Sequence, residues 1–124
     1  MKLRTLLAAI ILSGLIIAAG CKSSDMKKDA EKIGDAMCRN LELSGKLRTI
    51  NPNDTASLAK LQAQSNKLQE EMNKLYSDFK DKWGEKVKDK EFSKKFSDEL
   101  RRAMLNCPHL SKEDREQFQR DLGK

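Results

Sequence analysis

Three kinds of side chain in this chain could do chemistry: three cysteines, one histidine, and pairs of adjacent carboxylates. Nucleophilic catalysis needs a base and an orienting group held beside the attacking atom. His109 is the single histidine, set between Pro108 and Leu110, and no serine or cysteine motif surrounds it. It reads as an exposed turn residue. Cys38, Cys107 and His109 would give a zinc ion three ligands, whereas structural sites use four, usually in paired Cys/His clusters. No metal site is expected. Glu70-Glu71 and Asp98-Glu99 are paired carboxylates, but they sit among basic residues at helical spacing. General acid–base work needs a carboxyl in a desolvated pocket with a shifted pKa. These pairs read as solvated helix faces. The six glycines are isolated, so no phosphate-cradling loop is present. The sequence therefore predicts no catalytic residue and no cofactor.

The remaining cysteine, Cys21, belongs to the segment that governs where the chain goes. Lys2 and Arg4 precede an apolar run from Leu6 to Ile17, which closes on Ala18-Ala19-Gly20-Cys21. A basic start, an apolar stretch and small residues before a cut are the parts of a secretory signal peptide. The run is short for a hydrocarbon core of ~30 Å. Small residues before a cysteine, after such a run, resemble the lipobox of bacterial lipoproteins. The resemblance covers residues 1–21 and names a processing class. It implies that Cys21 receives a diacylglyceryl group on sulfur and that residues 1–20 are cleaved away. Two or more acyl chains give stable attachment where one holds marginally. By the same resemblance, Lys22 after the cysteine, rather than Asp, implies the outer membrane facing the periplasm. Ordinary secretion after Gly20 and an uncleaved anchor are the alternatives.

Cleavage before Cys21 removes two of the 25 basic residues and none of the 19 acidic ones, leaving 104 residues at a net charge of +4. Leu, Ile, Val and Phe make up only 18 of those 104, a composition that leans toward disorder. Two features oppose that. Net charge per residue is small, and the apolar residues are periodic. Basic and acidic residues alternate at i,i+4, as in Glu70–Lys74, Asp78–Lys82, Asp98–Arg102 and Glu116–Arg120, which marks solvated helix faces. No nucleic-acid partner is expected. With Cys21 lipidated, Cys38 and Cys107 are an even pair in an exported chain and read as a disulfide; two free thiols are the alternative. Closing a loop of about 70 residues stabilises by roughly 4 kcal/mol in the chain-entropy treatment.

The elements that must position these residues follow from spacing. Lys22-Ser23-Ser24 reads as a short polar tether within residues 21–24, and residues 25–124 as one helical domain. Met26, Ala30, Ile33, Met37 and Leu41 define one face of a helix over about 24–48. Asn51-Pro52-Asn53-Asp54 ends it; Asn51 is expected to cap the next helix with Pro52 as its first residue. Leu58, Leu61, Ser65, Leu68, Met72, Leu75 and Phe79 form a heptad-like seam of about 28 residues' span, stopped by Gly84. Residues 85–90 read as a charged connector. Phe92, Phe96, Leu100, Ala103 and Cys107 give a third stripe over about 89–106. Ser111 with Asp114 resembles a capping box for a last helix over about 112–122.

The expectation is thus an all-α chain: a small antiparallel three-helix bundle plus a short C-terminal helix, preceded by a cleaved signal peptide. In function it reads as a membrane-anchored, non-enzymatic interaction or accessory module of the cell envelope. Its partners would be the membrane through Cys21 and an envelope protein. A ligand-binding lipoprotein is the alternative.

Overall fold

The computed structural model describes the side chains of residues 25–122 and 124. The expected signal peptide of residues 1–20, and Cys21 with the rest of the expected tether of residues 21–24, lie outside those described side chains. Among the described residues four α-helices follow one another: α1 (Lys2–Thr49), α2 (Thr55–Trp83), α3 (Lys90–Leu105) and α4 (Lys112–Asp121). The fold is all-α, a small helical bundle, as the periodicity predicts. Among the described residues no helix is long and apolar enough to cross a membrane.

The turns explain the helix ends. Asn51-Pro52-Asn53-Asp54 is a turn, not a helix start. The Asp54 N–H donates to the Asn51 carbonyl at 2.9 Å, and the Asn51 side chain accepts from the Asn53 N–H at 3.0 Å. Asn51 spends its side chain inside the turn, so capping passes to Asp54, which accepts from the Ser57 N–H at 3.1 Å. Hydrogen bonding from the Ser57 side chain, and after it from the Ser57 N–H, holds the Asp54 carboxyl below its usual pKa. At the other end of α2, Gly84 adopts a positive φ of 50°, a conformation that strains any residue with a Cβ. Residues 84–88 then form a 3-10 helix, which makes up most of the charged connector. Asp89 caps α3 through the Phe92 N–H at 2.8 Å. Ser111 caps α4 reciprocally: it accepts from the Asp114 N–H at 3.1 Å and donates to the Asp114 carboxylate at 2.7 Å.

The helix α1 is the shared wall of the bundle. Both α2 and α3 pack on it, while α4 packs back on α3. The stripe predicted for the first helix is found: Met26, Ala30 and Ile33 are buried, and Met37 and Leu41 half-buried. Two small residues outside that stripe, Gly34 and Ala36, are buried as well. A helix covered on two sides needs small residues where its neighbours come close. A Cβ built on Gly34 would sit 2.9 Å from the Ala103 Cβ, so α1 and α3 approach almost backbone to backbone there. Cys38 faces Cys107 one turn further on. Gly34–Ala103 and Cys38–Cys107 share one sequence offset, so α1 and α3 run parallel in constant register.

The seam of α2 is more open than a three-way core would make it. Leu68 is buried, Leu61, Met72, Leu75 and Phe79 are half-buried, and Leu58 is exposed. The physical reason is length. The 16 residues of α3 span roughly 24 Å and end opposite Ala36, well before the end of α1. Beyond that point α1 and α2 form a two-helix hairpin. Toward the other end, α2 reaches α3 through Phe79, whose ring centroid lies 4.4 Å from Phe96 and 6.2 Å from Phe92.

The close approach at Gly34 predicts opposite signs for two chemically identical substitutions. Gly34→Ala should destabilise by about 1–3 kcal/mol through overpacking, although alanine is the better helix former. Gly45→Ala meets nothing within 4 Å and should stabilise by up to about 1 kcal/mol. Denaturant unfolding of the two variants measures both; a gain at Gly34 would mean the helices are further apart.

Candidate functional site

Cys38 comes from the middle of the described part of α1 and Cys107 from the turn after α3. Their sulfur atoms lie 1.98 Å apart and their Cα atoms 5.7 Å apart, the separation of a disulfide, across 69 residues of sequence. Cys107 is buried in a cluster with Met104 and Leu110, against which the half-buried Cys38, Met37, Leu41, Leu105 and Phe118 pack. Pro108 stops α3 here and strands its last carbonyls. Arg115 of α4 satisfies them: its guanidinium donates to the Leu105 carbonyl and, at 2.8 Å, to the Cys107 carbonyl. A covalent bond and an arginine clamp thus fix the α3–α4 corner on α1.

His109 is exposed at this corner, with Nε2 3.8 Å from the Glu42 carboxylate. The Glu42 carboxyl is held below its usual pKa by a hydrogen bond and charge from Lys46, with a smaller contribution from His109. With both sulfurs in the bridge, no thiol stands beside this pair. Among the described residues no group of three His, Cys, Asp or Glu side chains is arranged to hold a metal ion.

Two polar links between α1 and α2 were not readable from sequence, because helical spacing within one element says nothing about the register between two. Arg39 of α1 grips Glu71 of α2 with two hydrogen bonds, at 2.9 and 2.6 Å, and also bonds Asp35 at 3.1 Å. A planar guanidinium matched to both carboxylate oxygens fixes angle as well as distance. The hydrogen bonds from Arg39 hold the Glu71 carboxyl below its usual value near 4.5, and Glu71 in turn raises Arg39. At the opposite end, one carboxylate oxygen of Asp29 accepts from the Trp83 indole N–H at 2.9 Å and from Lys82 at 3.0 Å. Trp83 is buried, and its ring lies 5.1 Å from Phe92 and 6.4 Å from Phe79. Its single donor is satisfied by a carboxylate, which is how a buried indole avoids a desolvation cost.

The concavities between helices are open grooves. One of about 370 Å³ follows the Arg39–Glu71 link and is lined by Leu43, Lys46, Lys67 and Leu68. Another of about 250 Å³ lies between Met26, Trp83, Lys86 and Phe92. No buried side-chain nitrogen or oxygen lacks a hydrogen-bond partner among the described residues. The arrangement holds the helices together through polar links as well as apolar contacts. Compared with known protein families, curated proteins and solved structures, the chain finds no match.

The Arg39–Glu71 link carries a pH signature. The folded Glu71 carboxyl binds a proton less readily than the unfolded one. Its contribution is therefore complete above the unfolded value and is lost as pH falls through the lower folded value. Glu71→Gln should lower stability slightly at pH 7, and the gap from the parent should close below about pH 4.5. Unfolding curves across that range check it; a gap that persists at pH 3 would assign the loss to something other than the charge.

Proposed function

We propose that this chain is a lipid-anchored envelope protein whose mature part is a non-enzymatic helical module, acting through contact with partners at a membrane surface. The observation that carries the reading is the Ala18-Ala19-Gly20-Cys21 sequence closing a basic-then-apolar segment. Several features of the bundle are consistent with export. Cys38 and Cys107 lie at disulfide distance, as suits an oxidising compartment, and the surface is laced with ion pairs such as Lys46–Glu42 and Lys95–Glu91. A bundle held by a staple and helix-to-helix polar links suits a display role, in which shape and surface matter more than a cleft.

Cys21→Ser separates anchoring from folding. The variant should lose metabolic acyl label and leave the membrane fraction, while its helical circular dichroism and its Cys38–Cys107 bridge stay unchanged. Acyl label retained in the variant, or an unlabelled parent protein, would contradict the anchor.

A further inference from the structure

The positive charge of the chain is concentrated at one end of the bundle. Residues 80–95 hold seven lysines against Asp81, Glu85, Asp89 and Glu91, a net +3. The other 88 residues of the processed chain carry 16 basic against 15 acidic side chains, a net +1. The fold turns this stretch into a cap. It covers the last turn of α2, the 3-10 helix Gly84–Lys88 and the first turns of α3. Lys80, Lys86, Lys88 and Lys90 are all exposed.

That cap lies beside the start of the described part of α1. Met26 shares a groove with Trp83, Lys86, Phe92 and Lys95, and Asp29 is bonded to both Lys82 and Trp83. The lysine-rich end is therefore the end from which the chain leads back toward Cys21. Three residues lie between Cys21 and Asp25, and the four steps reach at most about 14 Å. Electrostatic attraction in physiological salt extends over about 8 Å. Lipidation at Cys21 would hold this cap within one or two such lengths of the bilayer, and the hairpin end of α1 and α2 away from it.

We infer that the lysine cap formed by residues 80–95 is a docking surface for anionic phospholipid headgroups, which orients the bundle on its membrane. The inference rests on the lipid-anchor reading for its geometry. Charge complementarity selects the occupant: ammonium groups on flexible stems suit phosphate as point charges and do not require a shaped pocket. An acidic protein would meet the same lysines, but nothing in the chain holds such a partner within reach as Cys21 would hold a leaflet.

The test uses the full chain purified from membranes and reconstituted into vesicles of phosphatidylcholine, with or without phosphatidylglycerol at about 30%. Amine acetylation followed by peptide mass spectrometry reads each lysine. Acetylation of Lys80, Lys86, Lys88 and Lys90 should slow about threefold or more on the anionic vesicles. Lys46, Lys60 and Lys67, on the α1–α2 hairpin, should be unaffected, and the protection should vanish at about 1 M salt. Equal acetylation on both vesicles overturns the docking surface, as does equal protection of the hairpin lysines. Protection on neutral vesicles by added polyglutamate, with none from phosphatidylglycerol, reassigns the cap to acidic proteins and also overturns it. The same digest reports the mass on Cys21. Acylated Cys21 with unprotected lysines defeats the docking surface alone; bare Cys21 with protected lysines defeats the anchor alone.

Discussion

The bundle depends on the constraint between Cys38 and Cys107 because its apolar content is thin. Nine apolar residues are buried among those described, two of them alanines, and no large side chain is completely enclosed. Burial at ~25 cal/mol per Å² cannot be large in such a core. Closing a long loop removes freedom from the unfolded chain instead of adding contacts to the folded one. The closed loop contains all of α2 and α3, so the staple acts on both helices that lean on α1. The Arg115 clamp and the Met104–Leu110 cluster add local enthalpy where the covalent bond already holds the geometry.

From that fixed corner the structure divides along α1. On one side of the corner, Gly34 and Ala103 let α1 and α3 approach closely, and Phe79, Trp83, Phe92 and Phe96 close the end against Met26. On the other side α3 is absent, and α1 and α2 continue as a pair tied by Arg39–Glu71. One end is aromatic, lysine-rich and continuous with the proposed anchor; the other is a narrow hairpin. For an object tethered at Cys21, that polarity presents the hairpin outward and the lysines to the lipid.

Much of this was legible in the residues. The all-α fold, the order of helices, the Cys38–Cys107 pairing and the Ser111–Asp114 cap each rest on local chemistry or on counting. What was not legible depends on register between elements. The burial of Gly34 and Ala36 carries no hydrophobic signal, because small residues report only how close a neighbour comes. Arg39–Glu71 and Asp29–Trp83 join residues 32 and 54 positions apart, so no spacing rule within a helix could find them. Asn51-Pro52 was misread as a helix start because an Asn-Pro step serves turns and N-termini alike; the Asn51–Asn53 hydrogen bond decided between them. His109, Glu70 and Glu71 lie on exposed surface, as their spacing implies, whereas Asp98 and Glu99, expected on a solvated face, are half-buried and paired with Arg101 and Arg102.

The central claim, that a covalent staple rather than core volume holds this bundle, is tested most directly by denaturant unfolding of the oxidised chain beside its Cys38→Ser/Cys107→Ser variant. The account predicts that the variant loses about 4 kcal/mol, comparable to the whole stability of a small domain, and is largely unfolded at 37 °C. A variant that unfolds at the same denaturant concentration as the oxidised chain would contradict it.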